Sequence, residues 1–170
     1  ATLSSTTPSS IAQSGWVYTL GFNLSGIPNG QEVLTVTPVS NQIHDSAGNV
    51  ASSSQNNNFS TLNDKVAPTI SSLSIATNNI TIAVTMSEAV YSTNGGNGSL
   101  EASDFLFSMA GGSTSLSSTT PTSISVSENI YNLGLGLTGT VNGNETLTVS
   151  PLDDSIYDAA GNEASTTQSN

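Results

Sequence analysis

IYDAAGNEAS, residues 156–165, decides how the chain is read, because the same phrase already stands at residues 43–52 as IHDSAGNVAS. A shift of 113 positions carries Leu3 onto Leu116, Pro8 onto Pro121, Tyr18 onto Tyr131 and Asn29-Gly30 onto Asn142-Gly143. It also lays Leu34-Thr35-Val36 on Leu147-Thr148-Val149 and Asp45 on Asp158, with no gap. Roughly half of the paired positions are identical, the signature of an internal repeat. Residues 1–57 pair with 114–170, and 58–113 have no second copy. A period of about 110 residues is a whole domain, since solenoid rungs run to about 20–50. The expected organisation is a partial unit over 1–65 and a second unit over 66–170, nearly complete but lacking its last strand. The first unit lacks everything matching Thr69 to Gly112. Two explanations stay open: an excerpt of a longer tandem protein, or subunits that complete one another across open sheet edges.

Composition narrows the function classes. The chain has 170 residues, no Cys, and a single Lys or Arg (Lys65) against 12 Asp and Glu, for a formal charge of -11 and a pI near 4.1. Disulfide stapling is excluded, so each unit stands on apolar contact, with or without a metal. Nucleic-acid binding requires basic patches, and anionic membrane surfaces attract the same groups, so neither is an expected partner. No apolar run reaches the length of a spanning helix. Divalent cations are the natural complement of such a charge.

Short alternating runs dominate, and no stretch keeps a helical period over three turns. Thr69–Ile75 and Ile80–Met86 read as a hairpin about Thr77-Asn78-Asn79, with Ile80, Ile82, Val84 and Met86 on the core face. Ser99–Asp104 reads as one helical turn, Phe105–Met109 as the next strand. Strands follow over 115–118, 123–127, 130–137 and 145–152, with Asn142-Gly143 as a hairpin signal. Phe59–Leu62 is the strand that follows the D-x-A-G-N loop. The expected fold is all-β, a seven-strand Greek-key β-sandwich of Ig-like type in one and a half units.

The pattern APTI, ITIAVTMSEAVY, LEASDF, LTVSP and IYDAAGN resembles the bacterial Ig-like repeats that occur in tandem in large surface and secreted proteins, adhesins among them. It covers residues 66–170 fully and 1–65 as a partial copy. The resemblance implies an extracellular or cell-surface location and a role as stalk, spacer or filament. Its partners would be neighbouring repeats or identical subunits, and a cell-surface or matrix ligand. It also implies calcium, which stiffens such loops in several adhesins.

The D-x-A-G-N loop carries two readings. As an Asx turn, Asp158 accepts N–H groups further along the loop and Gly161 supplies a positive φ. As a Ca²⁺ site it needs six to eight oxygens. Candidate ligands are Asp158 and Asp45, then Asp153 and Asp154 nearby, with Asp64, Glu88 and Asp104 as donors at a domain junction. Asp153 and Asp154 are matched by Ser40 and Asn41, so a site common to both copies rests on Asp45 or Asp158. Glu101 and Asp104 suit a cap of the short turn, and Glu32 and Glu145 read as solvated turn residues. His44 becomes Tyr157 in the second copy and reads as a surface or packing residue, and Trp16, which becomes Asn129, reads as an exposed strand residue or a sugar-stacking site in one unit only. Tyr18 and Tyr131 read as core. Nucleophile, phosphate-loop and HExxH patterns are missing, and the expectation is a non-enzyme. A carbohydrate- or protein-binding module of a secreted enzyme is the alternative from another class.

Overall fold

The computed structural model describes residues 1–168, which divide into two compact units with the boundary between Val66 and Ala67. The first unit contains β1 (Thr2–Leu3), β2 (Ser10–Ser14), β3 (Val17–Gly21), β4 (Leu24–Ser25), β5 (Val33–Thr35) and β6 (Phe59–Thr61). These pair antiparallel as β1 with β4, β2 with β3 and β5 with β6.

The second unit runs β7 (Ile70–Ile75), β8 (Thr81–Met86), a single 3₁₀ turn (Ala102–Asp104) and β9 (Phe105–Ala110), then β10 (Ser115–Leu116) and β11 (Ile124–Ser127). It ends in β12 (Ile130–Gly134), β13 (Leu137–Thr138) and β14 (Thr146–Pro151). One antiparallel sheet has the order β11-β12-β8-β7, and β9 pairs with β14. The molecule is all-β, in several small antiparallel sheets consistent with a β-sandwich.

The core of the second unit follows from period-2 alternation. β8 sends Ile82, Val84 and Met86 inward at 3%, 0% and 2% exposure, and they meet Phe105 and Phe107 from β9, Tyr131 and Leu133 from β12 and Val149 from β14. Burying an aliphatic or aromatic side chain of this size contributes about 1.5–3 kcal/mol. Ile80, expected on that face, is exposed. It sits in the turn before β8, where its N–H donates to Asn78 Oδ1 at 3.2 Å and its carbonyl accepts from Leu135.

Asn142-Gly143 does not close a hairpin. β13, which precedes the turn, pairs with β10, whereas β14, which follows it, pairs with β9, so the connection crosses from one sheet to another. Gly143 still takes the positive φ, 84°, that the turn requires.

The two copies share one backbone pattern. Thr2 faces Ser25 as Ser115 faces Thr138, and Ile11 faces Leu20 as Ile124 faces Leu133. Their burial differs sharply. Tyr131, Val149 and Ile156 are buried, while their equivalents Tyr18, Val36 and Ile43 stand 55%, 47% and 53% exposed. Tyr18, expected in a core, is therefore on the surface. In the second unit Tyr131, Val149 and Ile156 join a core that includes Ile82, Val84 and Met86 from β8 and Phe105 and Phe107 from β9, and no described strand of the first unit corresponds to β7, β8 or β9.

Candidate functional site

The D-x-A-G-N loops close in the same way in both units. Asp158 Oδ1 accepts the N–H groups of Ala160 and Asn162, each at 2.8 Å, and Oδ2 accepts the Asn162 side-chain amide at 2.7 Å. Asp45 repeats this with Ala47 at 2.9 Å, Asn49 N–H at 2.8 Å and the Asn49 side chain at 2.8 Å. Gly48 and Gly161 hold φ of 86° and 83°, a region that a Cβ disfavours. The Asx-turn reading of the motif is thus present in full. Asn49, by side chain first and then backbone, holds the Asp45 carboxyl below its ordinary range against desolvation.

What separates the copies is depth. Asp45 is exposed, and Asp158 is 1% exposed. Glu88, half-buried just after β8, brings a carboxylate oxygen within 4.8 Å of one from Asp158. Two carboxylates that close repel unless a cation or a proton lies near them. An all-oxygen donor set suits Ca²⁺ or Mg²⁺, not a thiolate- or imidazole-seeking metal. A carboxylate oxygen offers more than one lone pair, and Asp158 Oδ2 accepts from the Asn162 side chain. Glu88 and Asp158 could thus contribute two of the six to eight oxygens that a hard divalent cation takes.

Asp64 belongs to the first unit, where it accepts the Val66 N–H at 2.9 Å. Asp104 ends the 3₁₀ turn and accepts the Glu101 backbone N–H at 2.7 Å, the capping role its spacing predicts. Desolvation, reinforced by the Glu101 charge, raises its pKa against that bond. Asp153 is exposed and its carbonyl accepts from Ser155. Asp154 accepts from the Tyr157 hydroxyl and donates its N–H to Glu163. None of Asp104, Asp153 and Asp154 joins the Glu88–Asp158 pair. His44 is exposed, and Trp16, 97% exposed, sits in the turn between β2 and β3.

Glu145 is more than a solvated turn residue. Its carboxylate accepts the N–H groups of Asn142 at 3.1 Å, Gly143 at 3.0 Å, Ser113 at 3.2 Å and Thr114 at 3.4 Å, tying two loops together. Desolvation raises its pKa, but the backbone bonds outweigh this and lower it to about 2. Glu32 repeats the local part through Asn29. A carboxylate depressed in the folded state stabilises above its unfolded value and loses that contribution on acidification. Between pH 4.5 and about 2 the wild type should therefore lose thermal stability more steeply than Glu145→Gln. Melting curves across that window check this, and parallel acid limbs would refute it.

No helix among the described residues is long and apolar enough to cross a membrane. No family model, curated protein or solved structure matches the chain.

Proposed function

We propose that the chain is a segment of a tandem array of Ig-like β-sandwich repeats that serves an extracellular or cell-surface protein as stalk, spacer or filament. One observation carries this reading: the two D-x-A-G-N loops close through the same three hydrogen bonds, 113 residues apart. Spacing rewards copies, whereas catalysis requires only one site. The -11 charge keeps such an array soluble and away from nucleic acid. Neighbouring repeats or identical subunits are its partners, and adhesion belongs to the assembly.

Calcium fits into this role as a stiffener. Glu88 and Asp158 supply two carboxylates at one end of the second unit, and a cation between them relieves their repulsion and ties the end of β8 to the D-x-A-G-N loop. Pulling the full chain between handles tests both parts. The second unit should unfold in one cooperative event that releases on the order of 300 Å of chain, the reach of roughly 100 residues. That event should require higher force in calcium than in EDTA. Gradual extension without a rupture peak would remove the mechanical reading, and equal rupture forces would remove calcium.

A further inference from the structure

β5 and β14 are equivalent strands, yet each is held by its opposite edge. In the first unit the Val36 N–H donates to Asn58 at 2.8 Å and the Leu62 N–H donates to Glu32 at 2.9 Å. By antiparallel alternation, β6 therefore bonds to Glu32, Leu34 and Val36. The segment continues to Lys65, whose N–H donates to Pro28 at 2.9 Å. In the second unit the Leu152 N–H donates to Asp104 at 2.8 Å, so β9 bonds to Thr146, Thr148, Ser150 and Leu152. The equivalents of Glu32, Leu34 and Val36 are Glu145, Leu147 and Val149. They form the edge that β9 does not use, and no other described strand pairs there.

Beside that edge lies an apolar cleft of about 450 Å³, lined by Leu73, Ile82, Met109, Leu137, Val141 and Leu147 among others. Leu137 and Leu147 are the equivalents of Leu24 and Leu34, and in the first unit Leu62 lines one hollow with those two residues. The internal copy thus displays the occupant that this edge and cleft are shaped to receive.

We propose that the β14 edge and its cleft are a strand-acceptor site that takes the Asn58–Lys65 segment of a second copy of the chain, with Leu62 filling the cleft. This deepens the proposed function and rests on it only in that identical units assemble. The donor is weakly held at home. β6 pairs over three residues, Phe59 is 62% exposed, and no residue of the first unit is fully buried. The acceptor offers a formed core and the same backbone groups. The segment also brings Lys65, the chain's one Lys or Arg, to an acidic unit. Donor and acceptor are different surfaces, so the contact is heterologous and propagates as an open chain of subunits.

A labelled peptide of residues 55–66, titrated into the full ¹⁵N-labelled chain, tests this. Saturable binding is expected, with amide shifts at Glu145, Leu147 and Val149, and at least tenfold weaker binding of the Leu62→Asp peptide. Because that change is in the peptide, the acceptor's fold is untouched. No binding at millimolar peptide, equal binding of the Leu62→Asp peptide, or shifts confined to other residues would overturn the site. Each of those results leaves the rupture peak of the second unit standing, and loss of that peak leaves peptide binding standing, so the two failures are distinguishable.

Discussion

Phe107→Ala is expected to destabilise the second unit by about 3–5 kcal/mol, the usual loss when a fully buried phenylalanine is truncated in a core that cannot collapse. Phe107 is 1% exposed, faces Val149 in the β9–β14 register and belongs to the cluster that includes Phe105, Tyr131 and Leu133. Total stability of domains of this size is about 5–15 kcal/mol, so the variant should sit near its unfolding threshold at room temperature. Urea titration followed by far-UV circular dichroism reads the effect. The repeat supplies an internal control. Tyr131 and Tyr18 occupy the same strand position, but only Tyr131 has an aromatic neighbour, Phe105, at 5.9 Å. Tyr131→Ala should cost about 3 kcal/mol, and Tyr18→Ala should stay within about 0.5 kcal/mol, as exposed substitutions do. Equal costs for the two tyrosines would show that the first unit buries its face after all.

Strand positions were legible in the sequence because alternation is local. TIAVTM at β8 announces its inward face without reference to any other strand, and the repeat transfers the pattern from one copy to the other. Partner choice is not local. Asn142-Gly143 has the chemistry of a hairpin turn, yet the strands it joins, β13 and β14, pair with β10 and β9, which lie earlier in the chain. Tyr18 and Tyr131 look alike in sequence, and their fates differ because the strand that packs Phe105 against Tyr131, β9, has no counterpart among the described strands of the first unit. The site divides in the same way. The Asx turn and the Asp104 cap come from spacings of two to four residues and could be read directly. The approach of Glu88 to Asp158 joins residues 70 positions apart, and Glu145 reaches Ser113 and Thr114 over 32 and 31 positions. Only the fold creates those contacts.

Asp158→Ala should lower the stability of the second unit by about 2–4 kcal/mol, since it removes a buried charged acceptor and strands the donors of Ala160 and Asn162. Asp45→Ala breaks the same three bonds in water, where solvent replaces them, and should leave the melting curve nearly unchanged. The contrast tests burial against motif, because motif alone predicts equal losses. Asp158→Asn separates the turn from the cation. Its amide oxygen still accepts from Ala160 and Asn162, while its NH₂ meets the Asn162 amide donor across the former 2.7 Å contact. A partial loss of stability is therefore expected, smaller than for alanine. The carboxylate facing Glu88 is gone as well, so the shift in melting temperature between calcium and EDTA should vanish in Asp158→Asn and persist in Asp45→Asn. A calcium shift that survives Asp158→Asn would mean that the cation sits elsewhere and that the D-x-A-G-N loop is a turn and nothing more.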